Sequence, residues 1–326
     1  MTKLIGRKFN VGIGKESTRG TAVAADYWLP KMDFSHGDKI SEVVHESSIG
    51  TIHDAENSHI VEKFSEGKLK GRIADTSFGL ILEAVFGGDV ATLVATGVYD
   101  HVFSVLESAQ HPSLTVDISE PNASTGIRYA LSMIDSLEVT FEIKAYGQYE
   151  ISFRGNKNVA GANTASFTVE NIFLPQHGSV KFATNLAGLA GASAISVKKA
   201  TIKISKNIED DQVIGTLDAI DRLNKQFSVE GSVELTYEDR SYIDTIMLGG
   251  LSKAMRIAFT NSDVTIGVGS NPTITFDMAS VRLSEVARTI SNDDIVKQTL
   301  NFKAYYSIAD TQMIKATLRN TKTTAY

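Results

Sequence analysis

The residues from His53 to His59 (His-Asp-Ala-Glu-Asn-Ser-His) concentrate side chains that could gather a divalent cation. No second His or carboxylate cluster lies at a defined helical or strand period, so a solvated polar loop is the expectation. The segment Gly12-Ile13-Gly14-Lys15-Glu16-Ser17 has the glycines and lysine of a phosphate loop, but that loop needs Ser or Thr directly after the lysine. Glu16 stands there and repels phosphate. Glu209-Asp210-Asp211 and Asn292-Asp293-Asp294 lack the alternating ligands, central Gly and terminal Glu of a calcium loop and read as turns. Glu138 and Glu142 share a strand face, as an acid-base couple would, yet acids recur at Glu230, Glu234 and Glu238, as on a charged surface. No Ser/His/Asp order or nucleophile elbow stands out. The expectation is a protein with no catalytic residue, cofactor or metal.

The elements that must carry these residues are strands. Phe227, Val229, Gly231, Val233, Leu235 and Tyr237 alternate with polar residues, the period of a strand with one buried and one wet face. Leu137, Val139, Phe141 and Ile143 alternate likewise, followed by Tyr149, Ile151 and Phe153, with a connection over residues 144–148 that predicts a hairpin. Leu69, Gly71 and Ile73 alternate with the basic Lys68, Lys70 and Arg72, and Ile202 and Ile204 begin another strand. Helical spacing appears twice, at Phe78, Ile81, Leu82 and Val85 and at Tyr242, Ile243, Ile246 and Met247. Asp75 and Asp239 are the expected N-caps, and Gly87 and Gly249 the expected stops. Residues 42–58 and 206–222 are polar, poorly periodic and expected to be long loops.

These features recur in one order. Ile49-Gly50-Thr51 returns as Ile214-Gly215-Thr216, and the Phe-Ser strand with Gly67 returns with Gly231. Asp75-Thr76-Ser77-Phe78 matches Asp239-Arg240-Ser241-Tyr242, and both run to a Gly-Gly pair. The stretch from Gln148 to Arg154 resembles that from Gln298 to Lys303 in pattern. Ordered matches at near-constant spacing imply duplication of one unit, residues 1–160 and 169–326, joined by a small-residue linker within 156–168. A chain of 326 residues is long enough for two such units.

Composition closes off several classes. There is no cysteine, which removes disulfide frameworks and thiolate chemistry and fits assembly in a reducing cytoplasm. No signal-like or membrane-spanning apolar run occurs, so neither secretion nor a membrane partner is expected. A net charge of −6 argues against a protein that grips nucleic acid, while leaving DNA free to slide past.

The opening Gly14-Lys15-Glu16-Ser17-Thr18-Arg19-Gly20-Thr21-Ala22-Val23, then Tyr27-Trp28-Leu29-Pro30, resembles the start of tail tube proteins, the major tail proteins of long-tailed bacteriophages. The likeness continues through Asp33-Phe34 and Glu46-Ser47-Ser48-Ile49-Gly50 into the Phe64 strand and its helix. It implies a mainly β protein with two tandem tail-tube-like β-sandwich or half-barrel domains, each with one short flanking α-helix. It also implies self-assembly into stacked rings that form a hollow virion tail tube, assembled in the host cytoplasm. The duplication favours homo-oligomeric rings of three chains with pseudo-sixfold symmetry over a hexamer. Tail tip, terminator and tape-measure proteins are the expected partners, with double-stranded DNA in transient passage. On this reading Glu138, Glu142, Glu230, Glu234 and Glu238 line the channel, with Lys68, Lys70 and Arg72 as departures from an acidic wall. Ring stacking is expected at Thr18, Arg19 and Thr21 of the N-terminal arm and at His45, Ile49, Thr51 and Asp54 of the first long loop. Glu209, Asp211, Ile214 and Thr216 of the second loop complete that set. Two other readings are the tube of a contractile injection or secretion system, which uses a single domain, and a β-sandwich adhesion module, which the duplication disfavours.

Overall fold

The computed structural model describes residues 3–121, 126–161, 164–290, 292 and 295–326; Asp293 and Asp294 lie outside the described residues. Strands β1 (Asn10–Lys15) and β2 (Tyr27–Leu29) open the chain, followed by a long hairpin of β3 (Lys31–His45) and β4 (Asn57–Arg72). Helix α1 (Phe78–Phe86) leads into the hairpin of β5 (Gly87–Ala95) and β6 (Val98–Val105). Then come β7 (Leu114–Ser119), β8 (Gly126–Glu142), β9 (Gln148–Gly155) and β10 (Asn158–Gly161). The second half holds β11 (Gly178–Ala183), β12 (Ala194–Ile195), β13 (Val197–Ser205) and the short pair β14 (Glu209–Asp211) and β15 (Asp221–Leu223). It ends with β16 (Ser228–Thr236), a π-helical turn (Tyr242–Met247), β17 (Lys253–Thr260), β18 (Thr273–Thr289), β19 (Lys297–Tyr305) and β20 (Ile314–Asn320).

One antiparallel sheet runs through both halves in the order β3-β4-β9-β8-β13-β16-β19-β18. The pairing order β3-β4-β9-β8 of its first half recurs as β13-β16-β19-β18 in its second. Even the irregularities correspond, because β8 slips register against β9 between Ile134 and Ser136, and β18 slips against β19 between Leu283 and Glu285. Beyond those bulges, which bend a strand, β8 and β18 continue into a second layer. There β8 pairs with β7 and β10, and β18 with β17 and β20. β1 and β2 extend from β7, β11 and β12 from β17, and β6 with β5 from β20.

Alternation puts Leu137, Val139, Phe141, Ile202, Ile204, Val229, Val233 and Leu235 on the inner face of the sheet, where all are buried. α1 is apolar on every side except at Glu83, which pairs with Lys15, and every residue of it is buried, as such a helix must be. Its counterpart packs only Tyr242, Ile246 and Met247 against the core and leaves Asp244 and Thr245 in solvent. That half-wet segment closes as a wide turn instead of the expected α-helix.

Four local expectations are corrected. Residues 42–58 are loop only over 46–56, the tip of the β3–β4 hairpin; 42–45 and 57–58 are the ends of its strands. The linker contains β10, which pairs with the start of β8. Asp75 does not cap α1; its carboxylate accepts from the Asn171 backbone N–H (3.0 Å) and side-chain amide (2.6 Å). Glu170 serves the helix start instead, taking the Ser77 N–H at 2.5 Å and hydroxyl at 2.8 Å. Gly87 ends α1 in the left-handed region as expected (φ 87°), but in the second half the left-handed residue is Gly250, not Gly249.

Candidate assembly surfaces

The outer face of the long sheet collects the charged residues that alternation turns away from the core. Lys203 sits opposite Glu138 on one side and Glu230 on the other; Lys199 sits opposite Glu142 and Glu234. Glu150 stands between Glu138 and Lys70, and Glu230 between Lys203 and Lys303. Ion pairs follow this lattice: Lys303 to Glu230 at 3.1 Å, Lys199 to Glu142 at 3.3 Å, Lys68 to Glu150 at 3.2 Å and Lys297 to Glu234 at 3.9 Å. Arg72 lies over the Tyr146 ring. Exposed pairs of this kind contribute about 0–1 kcal/mol each, so their consequence is a checkerboard surface more than added stability. The outer face is therefore mixed in charge. Glu138, Glu142, Glu230 and Glu234 share one face, but lysines from β13 and β19 are interleaved with them. Glu238 lies beyond the end of β16, exposed.

Both margins of this sheet are open. Among the described residues β3 pairs with β4 alone, and the part of β18 from 282 to 289 pairs with β19 alone. Backbone groups on such margins seek another strand. Beside the β3 margin, His36 packs on Tyr129 and Phe153, and neither of its ring nitrogens has a hydrogen-bond partner. Burial pushes its imidazole down to about 4, so the ring is neutral.

The expected stacking residues fall into three groups, on the two long loops and the N-terminal arm. His45, Ile49, Thr51 and Asp54 occupy the far end of the β3–β4 hairpin, where Ile52 is fully exposed. His45 pairs with Glu56 (3.2 Å), holding the tip together. His53 is also in this tip and His59 is on β4; among the described residues no group of three His, Asp or Glu side chains could hold a metal. The second loop also ends on an exposed isoleucine, Ile214, with Thr216 beside it, its hydroxyl donating to the Asp218 carbonyl at 3.0 Å.

This second loop is fastened to the first half of the chain. The Lys63 N–H donates to the Leu217 carbonyl at 2.8 Å, and Lys157 pairs with Asp218 at 2.7 Å. Beneath it, Arg154 bridges Glu62 (2.8 Å) and Asp210 (2.6 Å), and Arg222 reaches Asp210 at 2.9 Å. Burial pushes the Asp210 carboxyl up, against the pull of both arginines. Burial also opposes ionisation of Glu62, but hydrogen bonds from Ser41 and Asp210 and the charge of Arg154 outweigh it and hold that carboxyl low. Glu209 is paired with Lys225 at 2.8 Å, while Asp211 pairs with Asp221 along the β14–β15 ladder.

Arg19 is engaged within the chain. Its guanidinium grips Asp221 at 2.5 and 2.9 Å and donates to the carbonyls of His111 (2.5 Å) and Arg222 (2.6 Å). Thr18 and Thr21, on the same arm, are exposed. Glu16, dismissed as a phosphate-loop residue, is buried and accepts four bonds, from the N–H groups of Gly20 and Leu131 and the hydroxyls of Ser113 and Thr115. Gly12 and Gly14 are needed for packing, since a Cβ on Gly14 would stand 2.2 Å from the Ala24 carbonyl oxygen. Which strands end the sheet is not legible in the sequence, because that depends on pairing and not on composition.

A protein-family model described as phage tail tube protein matches residues 6–304 of this chain. Comparison with curated proteins finds no match.

Proposed function

The chain belongs to the phage tail tube protein family, a viral structural family of the virion tail, and from that premise we propose that it closes into rings of three chains that stack into the conduit for DNA. The observation that carries this reading is the continuous eight-stranded sheet with a repeated four-strand order and two unpaired margins. Each chain supplies two copies of one unit, with bounds near 1–160 and 169–326, so three chains complete a pseudo-sixfold ring. Eight strands from each of three chains, about 4.8 Å apart and tilted about 40°, give a backbone cylinder roughly 45–50 Å across. Inward side chains narrow that to about 35–40 Å, since half the usual sheet-packing distance of about 10 Å lies on each wall. That bore admits a DNA duplex with room to spare.

The checkerboard face is the lining of that bore. Glu138, Glu142, Glu150, Glu230 and Glu234, interleaved with Lys68, Lys70, Lys199, Lys203 and Lys303, present nearly balanced charge to phosphate, so the duplex is neither gripped nor strongly repelled. The hairpin tip at Ile49 and Ile52 and the loop tip at Ile214 and Thr216 are the contacts between successive rings, and Thr18 and Thr21 of the arm lie with the surface they meet. Tail tip, terminator and tape-measure proteins meet the ends and interior of the tube, after assembly in the host cytoplasm. Electron microscopy of the purified protein with native mass measurement tests this directly. Hollow rods built of rings of three 35.3 kDa chains are the expected result. Rings of six full chains refute the trimer, and monodisperse single particles refute the tube.

A further inference from the structure

Within one chain the two halves meet where β13 pairs with β8: Lys199 opposite Glu142, Thr201 opposite Thr140, Lys203 opposite Glu138 and Ser205 opposite Ser136. Because the strand order repeats, β3 occupies the place of β13, and β18 the place of β8. The correspondence is residue by residue. Gly67 and Gly231 occupy equivalent positions on β4 and β16, and their partners His36 and Ile202 are therefore equivalent. On the other side, the matching bulges equate Ser136 with Glu285 and Thr140 with Thr289.

Resting on the tube reading above, we propose that the open margin of β3 in one molecule pairs antiparallel with residues 285–290, the end of β18 and the residue after it, in a second copy of this chain, in the register of the internal β8–β13 junction. That transfer sets Lys39 opposite Glu285, Gly37 opposite Ala287, Ser35 opposite Thr289, His36 opposite Arg288 and Phe34 opposite Ile290. The side chains fit although nothing in the transfer used them. Lys39 and Glu285 carry opposite charge on the outer face. Ile290, 72% exposed in the single chain, gains the half-buried ring of Phe34. Arg288 brings donors to His36, whose nitrogens are unpartnered within the chain. Asp38 against Val286 is the one pair with no gain, and Asp38 is already engaged by Asn158 at 2.6 and 2.9 Å. Sliding the register by two residues removes both the Lys39–Glu285 and the Phe34–Ile290 matches.

The chain has no cysteine, so introduced pairs report cleanly. Directly opposed residues on antiparallel strands lie about 4.5–5.5 Å apart at Cα, within disulfide reach. Full-length Ser35→Cys with Thr289→Cys, assembled and then mildly oxidised, is expected to run as covalently closed rings on a non-reducing gel. Gly37→Cys with Ala287→Cys is the second pair, tolerated because a Cβ on Gly37 meets nothing within 4 Å. The comparison pair, Ser35→Cys with Glu285→Cys, is displaced four residues, about 13 Å. It should link at least tenfold less. Rings seen by microscopy without preferential linkage of the opposed pairs overturn this register and leave the tube reading standing. A wild-type chain that forms no ring overturns both.

Discussion

Glu16 shows what a single buried carboxylate can organise. It holds the turn after β1, the β7 hydroxyls and the backbone of Leu131, a residue forced to a positive φ of 50° where β8 bends between layers. Glu16→Ala leaves two amide and two hydroxyl donors without their acceptor. Each unsatisfied group costs about 1–3 kcal/mol, partly recovered by water, so a loss of roughly 3–5 kcal/mol in urea denaturation is expected. Lys206 makes the opposite kind of prediction. It is wholly buried with its ammonium on the Ala84 carbonyl (2.8 Å), and burial, then the charge of Arg19, pushes its pKa down to about 7. A lysine whose folded pKa lies below the unfolded value binds fewer protons folded than unfolded between pH 7 and about 10.4, so stability rises with pH across that window. Its contribution is fully present above the unfolded pKa and lost as pH falls through 7. Lys206→Met should abolish that rise, which is about 1.4 kcal/mol for each unit of displacement; parallel stability curves for both proteins from pH 7 to 10 would refute it. Neither role was legible beforehand. The donors to Glu16 on β7 and β8 lie 97 to 115 residues away in sequence, and only pairing of distant strands brings them together.

Strands with one wet face were read correctly because burial writes a two-residue period into the sequence, as in β16 and in the β8–β9 hairpin. The β3–β4 hairpin escaped for the same reason. Its outer end is exposed on both faces, so Val43 and Val44 follow no simple alternation, and the strand residues 42–45 and 57–58 looked like part of the loop. Caps were legible at Gly87 and not at Asp75, since Glu170 takes over the helix start from 93 positions away. Gly87 and Gly50 separate backbone strain from crowding, because both are left-handed (φ 87° and 79°). A Cβ on Gly87 would stand 2.6 Å from the His111 ring and 2.8 Å from Leu106, whereas one on Gly50 meets nothing. Gly50→Ala is expected to cost about 1 kcal/mol or less, the left-handed penalty alone. Gly87→Ala adds displacement of a packed neighbour and should cost about 2–4 kcal/mol. Equal shifts in thermal midpoint for the two variants would show that crowding at the end of α1 is relieved at no cost.

At the scale of the whole chain, one pairing order of four strands occurs twice, with bulges at equivalent places. What composition could not supply was the balance of the shared face. The glutamates stood out by their spacing in two strands, while their lysine neighbours Lys199, Lys203, Lys297 and Lys303 come from strands whose adjacency is fixed only by the fold. That balance makes a prediction about the assembled tube. Glutamine at Glu138, Glu142, Glu150, Glu230 and Glu234 keeps size and hydrogen bonding but leaves the lysines and Arg72 unopposed, and each ring multiplies the excess by its copies. Such a lining would release counterions from a passing duplex and hold it. Tubes of the variant should retain linear DNA on sedimentation at about 50 mM salt and lose affinity by about a thousandfold or more at 200 mM, the signature of six or more phosphate contacts. Wild-type tubes should retain little at either salt. The exposed pairs contribute little to stability, so the substitutions should leave ring formation intact. If variant tubes form normally and still let DNA go at low salt, the charged face of the long sheet looks outward, and the bore is lined by the other layer.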